Sequence, residues 1–127
     1  MEDRIRFIVH RNHKILLVDI SHCTAAEVEK ISHLVPSYVT AEAKHSVLLL
    51  ADFTGAEFDR VAIDRLKQSA VFDRPYLKRS AWVGIESLPH VFYENIKAFS
   101  QRELPSFKTR EEAMEWLVSD QEPEVNG

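Results

Sequence analysis

The sequence contains one cysteine, three glycines and no long apolar run, and each scarcity removes a class of function. With Cys23 alone there can be no disulfide framework. A lone thiol in a chain without a recognisable signal peptide suits a reducing compartment, so a cytoplasmic protein is expected. The longest apolar stretches, Ile15 to Val18 and Val47 to Ala51, fall far short of the roughly 20 residues that a membrane-spanning helix requires, so no membrane span is expected. Positive charge is outnumbered, with 16 Lys and Arg against 20 Asp and Glu. A net charge of -4 argues against nucleic acid as a partner, because neutralising phosphates demands a basic face. Arg74, Lys78 and Arg79 thicken the basic residues only locally, as the exposed edge of a strand does.

What is present is a 127-residue chain with 45% hydrophobic content, enough for one ordinary domain to bury about two thirds of its unfolded surface. "RIRFIVHRNHKILLVDI" predicts two extended segments, Arg4 to His10 and Lys14 to Ile20, joined by the turn Arg11-Asn12-His13 into an antiparallel hairpin. The second arm is apolar without alternation, as in a strand covered on both faces. Thr24 with Glu27 forms a capping box before a helix whose apolar stripe is Val28, Ile31, Leu34 and Val35, and Pro36 either ends it or kinks it before a continuation through Tyr38 and Val39. Ser46 to Ala51 reads as a buried strand. Asp59 caps a second helix carrying Val61, Ile63, Leu66 and Ala70, which Pro75 closes.

Lys78 to Ile85 is strand-like, and Ser87 ahead of Pro89 marks the start of a third helix with Val91, Phe92, Ile96 and Phe99. "LPSF" fits only a short edge strand, because Pro105 cannot donate to a ladder. Thr109 with Glu112 caps a last helix that presents Ala113, Trp116 and Leu117. The predicted fold class is therefore α/β, a single domain over residues 1–119. Its order is β-β-α-β-α-β-α-(β)-α around a mixed sheet of four or five strands covered by helices, followed by a disordered acidic tail at 120–127.

The stretch "VLLLADFTGAEFDR" brings a carboxylate and a Thr-Gly pair to a loop between strand and helix, where phosphate chemistry is often placed. A P-loop needs several glycines and a lysine, whereas "FTGAEFDR" offers one glycine and two acids. A phospho-accepting receiver would set carboxylates at the strand ends after Asp19 and Asp52. It requires a further strand and helix between them, and a lysine at a later strand end. His10, His13, His22 and Cys23 are conceivable zinc ligands but lack the second closely spaced pair of a structural site. His22-Cys23 are adjacent on extended chain and point to opposite faces, and Ser80, Ser87 and Ser100 have no nucleophile elbow around them. Neither catalysis nor a cofactor is expected.

The phrases "ILLVDIS", "SVLLLADFTGAEFD", "YLKRSAWVG" and "FKTREEAMEWLV", in this order and spacing over residues 4 to 118, resemble the STAS superfamily (sulfate transporter and anti-sigma-factor antagonist domains). The likeness is to its SpoIIAA-like, SEC14-type branch of small bacterial proteins. That resemblance implies a regulatory module that binds another protein. In the antagonists an Asp-Ser-Ser-Gly motif at a helix start carries the phosphorylated serine. Here Asp59 stands in the aspartate's place, but Arg60 and Val61 replace both serines and Ala62 replaces the glycine, so the switch is missing. Thr54 remains as a turn hydroxyl beside Gly55.

The expected binding residues lie in loops at the carboxyl ends of the strands: Asp52, Thr54, Gly55, Phe58, Asp59 and Arg60 in one, Gly84, Glu86 and Ser87 in the other. Trp82, Phe92, Tyr93, Phe99 and Trp116 are more aromatic bulk than a small sheet needs, and with the resemblance to lipid carriers they suggest a small apolar or lipid ligand as the alternative. The first hairpin arm, at a sheet edge, predicts a weak homodimer.

Overall fold

A computed structural model describes residues 2–100 and 104–119, with side chains left aside at 2, 99 and 100. The tail expected to be disordered, 120–127, and the side chain of Phe99 lie outside the described residues. The elements are β1 (Ile5–His10), β2 (His13–Asp19), α1 (Ala25–Val39), β3 (Val47–Asp52), α2 (Arg60–Asp73), β4 (Leu77–Val83), α3 (His90–Ser100), β5 (Ser106–Phe107) and α4 (Arg110–Ser119). The fold class is α/β, as expected, with a mixed sheet in the order β1-β2-β3-β4-β5. β1 runs antiparallel to β2 and every later pair is parallel.

The hairpin turn is tighter than the sequence suggests. His13 belongs to β2 and pairs with His10, so only Arg11 and Asn12 form the turn, with φ of 52° and 67°. Positive φ at both central residues defines the type I′ turn, whose twist matches that of the strands it joins. Each parallel crossover then adds one strand on the same side of the last. Right-handed crossovers taken in one direction put α1, α2 and α3 on one face of the sheet, and α4, after the last strand, on the other.

Two cores result. Leu16 and Val18 of β2 and Val47, Leu49 and Ala51 of β3 face the three-helix layer, where Val28, Ile31, Ile63, Leu66 and Ile96 meet them. Ile15, Leu17, Leu48 and Leu50 face α4 through Ala113, Leu117 and Val118. This double coverage is why β2 and β3 read as unbroken apolar runs. The register of β3 against β4 shifts between Val47 and Leu48, skipping Lys78. One extra residue inverts the alternation, so Leu77 and Trp82 both reach the three-helix core despite their odd spacing.

Six aromatic side chains pack together in or against these cores. Phe53 lies 4.7 Å from Trp82 and 6.0 Å from Phe58 between ring centroids, Trp82 is 5.7 Å from Tyr93, and on the α4 face Phe107 packs on Trp116. Arg79 stacks 3.6 Å over the Trp116 ring and donates to its carbonyl oxygen at 2.6 Å, fastening α4 to β4. That residue is therefore part of the packing and not of an exposed basic edge, where Arg74 and Lys78 do lie.

Ser87 is the clearest departure among the expected caps. It sits in a short 3-10 turn, Ile85–Ser87, and its hydroxyl accepts the Gly55 N–H at 2.8 Å. The helix begins later, and the Pro89 carbonyl accepts the amides of Phe92 and Tyr93. The other caps form as expected: Thr24 and Glu27 close a full capping box, and Asp59 accepts the Ala62 N–H at 2.8 Å. Thr109 accepts the Glu112 N–H, but the Glu112 carboxylate reaches back to Lys108, one residue beyond the cap.

Candidate functional site

The carboxyl ends of β2 and β3 repeat one device. Asp19-Ile20-Ser21 and Asp52-Phe53-Thr54 each turn the chain out of the sheet, and in each the carboxylate accepts two bonds from the residue two positions on. Asp19 Oδ1 accepts the Ser21 N–H at 3.1 Å and its hydroxyl at 2.6 Å; Asp52 Oδ1 accepts the Thr54 N–H at 3.0 Å and its hydroxyl at 2.7 Å. These are side-chain mimics of a backbone turn. Asp19 and Asp52 are direct partners in the ladder, so two carboxylates stand side by side on the α4 face.

Their repulsion is offset by Arg110, the first residue of α4. Its Nε donates to Asp52 Oδ2 at 2.7 Å and its Nη2 lies 3.1 Å from Asp19 Oδ1. Arg4 approaches the same Asp19 oxygen at 3.7 Å and donates to the Ser21 carbonyl at 2.7 Å. A cation at a helix start opposes the helix dipole, and the two acids reverse that disadvantage. Burial pushes the Asp19 carboxyl up, but the hydrogen bonds from Ser21, then Arg110 and Arg4, outweigh it and hold the group below the usual aspartate range. Burial likewise lowers Arg110, yet Asp52 and Asp19 together leave it above its ordinary value.

Above this cluster three loops are stitched into one surface. The amides of Ile20 and His22 donate to the carbonyls of Asp52 and Thr54, the Glu57 amide to Cys23, and the Phe53 amide to Val83. Gly55 and Gly84 both hold positive φ, 68° and 75°. A Cβ on Gly84 would lie 2.4 Å from the Thr54 nitrogen, and one on Gly55 2.4 Å from the His22 ring. The loops after β2, β3 and β4 thus touch closely, and at Gly84 the contact is with backbone and admits no side chain.

The structure brings Asp52, Thr54, Gly55, Gly84 and Ser87 together, as the adjacency of β3 and β4 requires. It does not leave them all accessible. Asp52 is 6% exposed and engaged by Arg110 and Thr54, and Gly84 is buried. Phe58 is half-buried against Phe53. Asp59, Arg60 and Glu86 are exposed, as are Glu57 and, in the first turns of α2 and α3, Val61 and Val91. Arg110, Arg4 and His22 were not among the residues expected at the site. The repeated Asp-x-Ser/Thr at two strand ends is a visible signal for the paired carboxylates, but nothing local shows that α4 returns to them.

Hollows lie beside this surface's helices as well. A cavity of about 40 Å³ lies between α1, α2 and the sheet, with Ser32, Ser69 and Asp73 among mainly apolar walls. An open groove of about 400 Å³ runs beside Ile85, Glu86, Leu88, Pro89, His90 and Tyr93. Among the described residues no three His, Cys, Asp or Glu side chains are placed to hold a metal ion, and no helix is long and apolar enough to cross a membrane. Cys23 is 1% exposed, and burial raises its thiol pKa, which makes it a packed side chain and a poor nucleophile. No protein-family model, curated protein or solved structure matches the chain.

Proposed function

We propose that this chain is a non-enzymatic STAS-like regulatory module that binds another protein through the stitched loops at the carboxyl ends of β3 and β4. The observation that carries the reading is the direct tie between the two loops, Gly55 N–H to Ser87 Oγ at 2.8 Å with Gly84 lying against Thr54. A surface ordered before a partner arrives loses little conformational entropy on binding. Its exposed chemistry suits a protein: Val61 and Val91 offer apolar area, and Glu57, Asp59, Arg60 and Glu86 supply a charged surround. The order of elements supports the family resemblance that the sequence phrases carry, and the lone buried thiol supports a cytoplasmic setting.

The module works without a serine switch. Arg60 and Val61, exposed at the start of α2, carry no phosphorylatable hydroxyl, and the Thr54 hydroxyl already donates to Asp52. A phosphate on Thr54 would set roughly -1.5 to -2 charges against that carboxylate. The lipid-ligand reading has less to support it, since the cavity between the helices and the sheet, about 40 Å³, is far below the 300–1,000 Å³ of ordinary ligand sites, and the groove of about 400 Å³ beside Ile85 to Tyr93 is open to solvent.

The test is affinity capture from a lysate of the native host, comparing the wild type with an Arg60→Glu/Val61→Asp variant. Both positions are exposed, so the fold is retained. The proposal expects at least one partner to be lost from the variant. Equal recovery of every captured protein removes this surface from the interface.

A further inference from the structure

The sheet has two edges of very different character. β5 is two residues long and too short to template a partner, whereas β1 presents six residues without proline, glycine or a register shift. Those omissions matter, because proline, bulges and very short strands are the usual devices that keep an edge from pairing. Within the hairpin, His10 and His13 flank a two-residue turn and form a hydrogen-bonded pair. Alternation along an antiparallel ladder then turns the N–H and C=O of Val9, Phe7 and Ile5 away from β2, toward the open edge. Val9 is 72% exposed, the most exposed large apolar side chain among the described residues.

We propose that β1 is a self-pairing edge, through which two copies of this chain join their sheets antiparallel about a twofold axis at Phe7. Outward groups can bond only to outward groups, so the axis must pass through a residue, and three registers engage more than one outward residue of each strand. An axis at Arg6 sets two guanidinium groups opposite each other. One at Ile8 sets Arg6 against His10 of the second copy and leaves Ile5 unpaired. The register centred on Phe7 pairs Phe7 with itself, Ile5 with Val9 and Arg6 with Ile8, opposing no like charges and using all three outward residues. Lys14 lies 4.4 Å over the Phe7 ring, but its charge is matched by Glu42 at 3.2 Å, so the paired aromatics do not gather unbalanced cations. Six residues a side bury less than the 1,200 Å² or so of a stable interface, which makes the dimer a weak one.

This inference goes beyond the loop surface and is independent of it, since the edge residues form no part of those loops. Sedimentation velocity from low micromolar to millimolar concentration reads it directly. The wild type is expected to move from monomer toward dimer as concentration rises. Val9→Pro removes an outward donor without touching the β1–β2 ladder, and Val9→Lys places a charge on the edge. Both are expected to stay monomeric with an unchanged circular dichroism spectrum. Register is read by oxidation: Phe7→Cys cross-links to its own copy, while Val9→Cys, four residues out of register with itself, does not. A wild type that remains monomeric throughout, a dimer indifferent to both Val9→Pro and Val9→Lys, or cross-linking by Val9→Cys overturns the proposal. Should Phe7→Cys fold poorly, the Val9 variants decide it alone.

Discussion

Arg110 carries more of the local electrostatics than any other described side chain at the strand ends, because among the described residues it alone touches both carboxylates. Its loss leaves Asp52, with 8% side-chain exposure, facing Asp19 with only the Thr54 donors on Asp52 and Arg4 on Asp19 to offset the repulsion. Breaking a fully buried pair costs about 3–5 kcal/mol; with Arg110 itself 32% exposed, a destabilisation of about 2 kcal/mol is expected for Arg110→Ala in urea unfolding. The pH dependence has a definite sign. Asp19 titrates lower in the folded state than in the unfolded chain, so the stability it supplies is present above the ordinary aspartate pKa near 3.9 and disappears as pH falls through the folded value. Unfolding curves taken from neutral pH downward should show this acid loss in the wild type and a smaller one in Arg110→Ala. Thr54→Ala removes one hydroxyl bond to Asp52 and should destabilise by no more than about 1 kcal/mol, while Thr54→Asp should not abolish partner capture. Ser32 gives the opposite case. Its hydroxyl is buried in mid-helix with no hydrogen-bond partner among the described residues, so Ser32→Ala should leave thermal stability unchanged or raise it by up to about 1 kcal/mol.

At the scale of elements, the turn after β4 decides whether the loop surface exists. Gly84 holds φ of 75°, and an added Cβ would strike the Thr54 backbone, not a flexible side chain. The left-handed conformation alone costs an L-residue about 1–2 kcal/mol, and the clash must push the two loops apart. Gly84→Ala is therefore expected to destabilise by more than about 2 kcal/mol in chemical denaturation. Backbone amide shifts should concentrate at Thr54, Gly55 and Ser87, and shifts confined to residues near position 84 would contradict the close approach. α1 shows how a local rule is overridden. Pro36 lacks the N–H that its helix position would use, yet the helix continues to Val39 because Val35 and Val39 are buried in the core and the Thr40 amide closes the last turn on the Pro36 carbonyl. Packing on the sheet outweighs the missing bond.

For the molecule as a whole, the sheet order predicts a gradient of protection. β2 and β3 are hydrogen-bonded on both sides and covered on both faces, while β1 and β5 each have one neighbour. Native-state hydrogen exchange should find the slowest amides in Leu16, Leu17, Leu49 and Leu50 and markedly faster exchange at Val9 and Phe7. Protection of Val9 and Phe7 that grows with protein concentration would report pairing at the edge.

Local chemistry in the sequence settles much of this molecule. The capping box at Thr24, the cap at Asp59, the unbroken apolar runs of β2 and β3 and the α/β order each rest on neighbours a few residues apart, and each is legible without coordinates. The loss of the serine motif at Arg60 and Val61 is equally plain. The rest depended on long-range placement. Ser87 looks like a helix cap until β4 sets it beside Gly55, and only then does its hydroxyl have a better use. Asp19 and Asp52 look like separate turn residues until parallel pairing puts them in one rung, and Arg110 is unremarkable until α4 crosses to the opposite face and meets both. Periodicity and capping are short-range and written in the chain, whereas the charge balance at the strand ends arises from residues dozens of positions apart that only the closed sheet brings within a hydrogen bond.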